Sequence, residues 1–111
     1  MREIKFRAWS KREKYMYKWR QIHNAGSLDD MIADKDVILR QYTGLKDRNH
    51  KRIYEGDILS YELKQGWEIF FEDGCYYMMC GGRSFLLEKV RTQISEIIGN
   101  IHENPELLEA K

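Results

Sequence analysis

The sequence predicts a mainly β fold: a small antiparallel β-barrel or sandwich in one domain over residues 1–111, with one or two short helices. Three observations predict it. Apolar and polar residues alternate with a period of two in segment after segment, as half-buried strands do. Asp73-Gly74 stands between two such segments, and Asp-Gly is the dipeptide of a two-residue type I′ hairpin turn. No long helical period alternates with the strands, which argues against a parallel α/β sheet. At 111 residues the chain has room for one core. Its mean hydropathy of −0.69 excludes the membrane-spanning and low-complexity classes.

The elements follow in order. Ile4, Phe6 and Ala8 alternate with Lys5, Arg7 and Trp9, and after Lys11-Arg12-Glu13-Lys14 the alternation resumes with Tyr15, Tyr17 and Trp19. A four-residue loop places Ala8 opposite Tyr17 and Phe6 opposite Trp19, which makes one face apolar. On the other face Arg7 lies opposite Lys18 and Lys5 opposite Arg20. Ser27 and Asp30 have capping-box spacing and open a short helix. Val37–Thr43 is a strand, Asn49-His50 a tight hairpin, and Ile58–Leu63 a further strand. Around Asp73-Gly74, Phe71 faces Tyr76, Ile69 faces Met78 and Trp67 faces Cys80, and these six point inward. Phe70, Tyr77 and Met79 lie on the opposite face between Glu68 and Glu72. Phe85–Val90 and Glu96–Ile101 read as strands. Asn104-Pro105 begins a terminal helix, with Asn at the cap and Pro at the first position.

The charge is divided. Residues 1–55 carry a net +6 and residues 56–111 a net −5, and the basic excess lies in the first twenty residues. A basic end implies an anionic partner, self-association through opposite poles, or simply a solvated face. Cys75 and Cys80 fall on opposite faces of one strand, roughly 16 Å apart, too far for a mutual disulfide. They read as free thiols of a reducing, cytoplasmic compartment, and the alternating N-terminus is unlike a secretion signal.

The chain matches no nucleophile motif, and His23, His50 and His102 sit in unrelated segments. No Cys/His group has zinc spacing, and Gly81-Gly82 lacks the Lys-Ser/Thr of a phosphate loop. The acids Glu55, Asp57, Glu72 and Asp73 are the remaining candidates for a carboxylate-based, metal-dependent enzyme. Acids beside glycine are also what turns are made of, with Asp57 bonding nearby backbone amides. The expectation is therefore a protein that is not an enzyme and needs no cofactor or metal.

Three phrases carry a family resemblance. Met1-Arg2-Glu3-Ile4-Lys5-Phe6-Arg7-Ala8-Trp9 opens the chain. Gln41-Tyr42-Thr43-Gly44-Leu45-Lys46-Asp47 leads to Ile53-Tyr54-Glu55-Gly56-Asp57-Ile58. Ile98-Gly99-Asn100-Ile101-His102-Glu103-Asn104-Pro105-Glu106-Leu107-Leu108 closes it. In order and wording the chain resembles the YopX family, small proteins of bacteriophages and prophages. Two positions depart from the family's common wording: Ser10 stands where Asp is usual, and Asn49-His50 where Asn-Gly is usual. Asn-His requires a non-glycine residue to accept positive φ. The resemblance implies a barrel-like all-β domain in a phage context, and no activity or catalytic residue. The phrase Glu55-Gly56-Asp57-Ile58-Leu59 before a hairpin is also similar to the opening of SH3-like barrels.

The sequence thus points to a phage or prophage accessory protein acting as a binding module for a host or phage macromolecule, in the host cytoplasm and away from membranes. One candidate surface is the basic face of Lys5, Arg7, Trp9, Lys18 and Arg20, with cations for phosphates and a tryptophan for a base of single-stranded nucleic acid. The other is the stripe Phe70, Tyr77 and Met79, suited to a protein partner or to a second copy in a homo-oligomer.

Overall fold

The computed structural model describes residues 4–25, 28–62 and 64–108. Ser27 of the expected capping box and Leu63 at an expected strand end lie outside them. The chain is mainly β. Its order is β1 (Phe6–Ser10), β2 (Tyr15–Tyr17), α1 (Trp19–Ala25), α2 (Leu28–Ala33), β3 (Val37–Lys46), β4 (Arg52–Tyr54), β5 (Asp57–Tyr61), β6 (Lys64–Glu72), β7 (Cys75–Cys80), β8 (Arg83–Leu86), α3 (Lys89–Thr92) and β9 (Glu96–Asn100), then a 3-10 turn, Pro105–Leu108. Every strand pair is antiparallel, in two curled sheets ordered β2-β1-β3-β4 and β8-β7-β6-β5-β9.

The sheets meet at one corner. The Glu55 amide donates to Gln41 of the first sheet, 3.0 Å, and the next amide, Gly56, donates to Ile69 of the second, 2.8 Å. Two successive amides pointing into different sheets require an unusual backbone, and Gly56 supplies it with φ +86°. The core lies mainly on the second sheet, where Leu59, Tyr61, Trp67, Ile69, Met78 and Leu87 enclose Ile53 from the first.

The Asp73-Gly74 hairpin has the expected register from Glu72–Cys75 to Glu68–Met79. Both turn residues have positive φ, 51° and 81°, as type I′ demands. Trp67, Ile69 and Met78 are buried, but Phe71 is 49% exposed, against the expectation that it points into the core. The register is right and the covering layer is shorter than the hairpin. Phe71 stands one pair from the turn, resting edge-on against Tyr76 at 4.9 Å, past the side chains that close over Ile69.

The first hairpin pairs Ala8 with Tyr17 as expected, but β2 ends there. Trp19 opens α1 instead of extending the strand, and its ring stays 6.1 Å from Phe6. Gln21 reaches back to accept from the Lys18 amide, 2.9 Å, which caps the helix without the usual Ser, Thr, Asp or Asn. The expected strand Phe85–Val90 stops at Leu86. There the Thr92 amide donates to the Glu88 carbonyl and the chain turns into α3, so the described residues hold three short helices rather than one or two.

Candidate functional site

Arg7 and Trp9 share one face of β1, with Lys5 just ahead of the strand, and this face does not point wholly to solvent. On its β3 side Arg7 lies opposite Arg40, and on its β2 side the strand has the expected register but ends at Tyr17, so the expected Arg7–Lys18 pair is not part of the ladder. Two guanidinium groups directly across a ladder repel, and each has a partner from beyond the first sheet. Arg7 Nη2 donates to Asp57 Oδ1 at the start of β5. Arg40 Nε donates to His102 Nε2, 3.1 Å. His102 in turn lies flat on Trp9, ring centroids 5.1 Å apart and 14° between planes. Trp9 is therefore buried at 8% exposure, and the proposed stacking platform is a structural residue. Arg7 is likewise mostly enclosed, its side chain 17% exposed.

Asp57 is buried and holds two partners, the Arg7 guanidinium and the Tyr54 amide, 2.8 Å, and the Arg7 guanidinium lies over the Tyr54 ring, 4.7 Å from its centroid. Burial pushes the Asp57 carboxyl up to about 6, against the pull of Arg7 and of that amide. Burial pushes His102 down to about 4, with the charges of Arg40 and Arg7 adding to it, so the ring is neutral and Nε2 can accept from Arg40. Asp47 organises the neighbouring turn. Its Oδ1 accepts from the Asn49 and Lys51 amides, both 2.9 Å, its Oδ2 accepts from Ile97 of β9, 3.0 Å, and His50 takes φ 63°.

Beside this buried cluster opens a groove of about 960 Å³. Arg7 reaches it from β1 and Lys5 from just ahead of that strand. Lys18, Trp19 and Arg20 reach it from the start of α1, with Tyr15 and Met16 from β2. Lys46, His50, Lys51, Arg52 and Tyr54 reach it from the β3–β4 hairpin. Seven of the lining residues are Lys or Arg, against one acid, Glu103. Lys18, Lys46 and Lys51 are exposed and bridge to no carboxylate among the described residues. Four of the five expected basic-face residues, Lys5, Arg7, Lys18 and Arg20, thus come together, while Trp9 does not. The structure adds the cations of the β3–β4 hairpin and the rings of Tyr15, Trp19 and Tyr54. The sequence signal for that second group is Lys46, Arg48, Lys51 and Arg52 within one short hairpin.

The stripe is present on the outer face of β6 and β7. Phe70 and Tyr77 are cross-strand partners, stacked 5.5 Å apart, and Met79 is 39% exposed beside them. The four acids do not converge: Glu55 accepts from the Gln41 amide, Asp57 is held as described, and Glu72 and Asp73 stand at the hairpin tip. No group of three or more His, Cys, Asp or Glu among the described residues could hold a metal ion. Nor is any helix among them long and apolar enough to cross a membrane.

The YopX protein family matches residues 5–109, nearly the whole length. The chain belongs to the YopX family. No curated protein matches it. Among solved structures it is similar to the protein EF1440 from Enterococcus faecalis, with 28% sequence identity and a TM-score of 0.68, covering 97% of this chain and 99% of that one. The three YopX phrases have structural reasons here. Arg7 and Trp9 come from the first, Asp47, Tyr54, Gly56 and Asp57 from the second, and Gly99, Asn100 and His102 from the third. Together they build the interlock between the sheets. A Cβ on Gly99 would stand 2.5 Å from Asn104 Oδ1. Asn100 Oδ1 accepts from the His102 and Glu103 amides, 3.0 and 2.9 Å, and so fixes the turn that carries His102.

Proposed function

We propose that this YopX-family chain is a non-enzymatic binding module, a phage or prophage accessory protein of the bacterial cytoplasm, whose basic groove holds single-stranded nucleic acid. One observation carries the reading: seven cations and three aromatic rings line one groove with a single acid. Cations tracking a backbone beside rings on which bases stack is how single strands are bound without sequence readout. The buried Trp9 gives up its stacking role to Trp19, which is half-buried at the groove wall.

Fluorescence anisotropy of a labelled oligonucleotide tests this. Affinity falls with salt at a log–log slope of about −0.7 per phosphate contacted, so roughly −2 to −3 with four cations engaged. Lys18→Glu with Lys51→Glu abolishes binding and leaves the circular dichroism unchanged, because both side chains are exposed. Trp19→Ala costs about 1–3 kcal/mol of binding. No binding at low salt would overturn the reading.

A second reading rests on the stacked Phe70–Tyr77 pair and Met79 between two glutamates, a surface suited to a protein partner or a second copy. Capture from host lysate with and without nuclease separates the two readings, because nuclease releases only partners held through nucleic acid.

A further inference from the structure

The groove cations are not equivalent. Lys18, Arg20, Lys46 and Lys51 stand exposed on side chains with many rotamers, so they supply field without direction. Arg7 is held on two sides. Its Nη2 is bonded to buried Asp57, and its Cζ stands over the Tyr54 ring, 4.7 Å from the centroid. Asp57 is itself fixed by the Tyr54 amide, so carboxylate, ring and guanidinium are set as one unit. Arg7 Nε is buried with no hydrogen-bond partner among the described residues. The bond from Nη2 to Asp57 is the guanidinium's one hydrogen bond among the described residues, and the residue lines the groove.

From this geometry we infer that Arg7 is a fixed station for one oxyanion, a phosphate group, and that Asp57 is the positioning residue that presents it. The inference rests on the groove being the binding site. A guanidinium binds an oxyanion through a rigid fork of donors, and holding that fork in advance removes the rotamer loss that an exposed lysine incurs on binding. Asp57 is also a negative charge behind a basic groove. A groove working only through its field binds an anion more tightly when that charge is removed. A groove with a positioned arginine binds it less tightly. The two cases differ in sign.

The test uses the full chain, with Asp57→Asn and Arg7→Lys. Asparagine keeps an acceptor for the Tyr54 amide, and lysine keeps the charge opposite Asp57 while losing the fork. Circular dichroism checks folding. Inorganic phosphate is titrated while the Arg7 Nε–Hε resonance is followed by NMR, and a short oligothymidylate is titrated by anisotropy. Phosphate is expected to shift the Arg7 signal saturably, and Asp57→Asn to weaken both phosphate and oligonucleotide about tenfold at an unchanged salt slope. Arg7→Lys weakens the oligonucleotide by a similar factor and, if Asp57→Asn fails to fold, decides alone. Tighter or unchanged binding in Asp57→Asn, or in Arg7→Lys where that variant decides, overturns the station while leaving the nucleic-acid reading standing. A saturable phosphate shift with no oligonucleotide binding to the wild type does the reverse.

Discussion

Replacing Arg7 by Met removes the partner of a carboxylate that is 1% exposed, and the consequence depends on pH. With Arg7 gone, Asp57 keeps only the Tyr54 amide, 2.8 Å away. Breaking a buried pair by deleting one member costs about 3–5 kcal/mol, a large share of the 5–15 kcal/mol that holds a domain of this size. The variant has one escape, which is to protonate Asp57. Its pKa is already raised to about 6 with the guanidinium present, and losing that charge raises it further. A carboxyl whose folded pKa lies above its unfolded value favours the folded state at low pH and loses that advantage as pH rises through the folded pKa. In the wild type this advantage amounts to roughly 1 kcal/mol at pH 5 relative to pH 8. In Arg7→Met it is larger, because the unopposed burial raises the folded pKa further. Urea denaturation followed by tryptophan fluorescence therefore shows a severe loss at pH 8 and a much smaller one at pH 5. Arg7→Met with Asp57→Leu recovers part of the loss at pH 8, since no unpaired charge remains. A loss below about 1 kcal/mol at pH 8, or the same loss at both pH values, would refute the claim that Arg7 neutralises a buried charge.

Three further outcomes follow from the same structure. His102 behaves with the opposite sign to Asp57: its folded pKa of about 4 lies below the ordinary 6.5, so it stabilises above pH 6.5 and loses that contribution as pH falls towards 4. His102→Gln should gain stability relative to the wild type between pH 8 and pH 5, read as a melting-temperature difference, and a pH-independent difference would count against a buried neutral imidazole. Phe71→Ala should cost about 1 kcal/mol or less by urea denaturation, whereas Ile69→Ala on the same strand face should cost about 2–5 kcal/mol, because Phe71 is half exposed and Ile69 is buried. Gly74→Val should destabilise far more than Gly74→Asn, since φ at this position is +81° and nothing lies within 4 Å of an added Cβ, so backbone conformation and not crowding sets the cost; equal melting temperatures would refute the positive-φ requirement of the type I′ turn.

What the sequence by itself determined was local. The period of two located the main strands, Asp73-Gly74 set both the turn type and the register of β6 on β7, and the four-residue loop set Ala8 against Tyr17. Each of these depends on neighbours a few residues away. Where the strands stop was not legible, because Trp19 leaves the sheet through a helix capped by Gln21, which lies outside the common capping residues. The direction of the basic face was not legible either. Alternation separates two faces and says nothing of what each will meet, and β1 carries Arg7 and Trp9 on a side that receives Asp57 and His102 from far along the chain. Only the tertiary structure decided that half of this face became an interlock and that the other half, joined by Lys46, Lys51 and Arg52, became the wall of a groove. The physical reason is that a buried charge takes whichever partner the fold brings to it, and for Arg7 that partner lies fifty residues away.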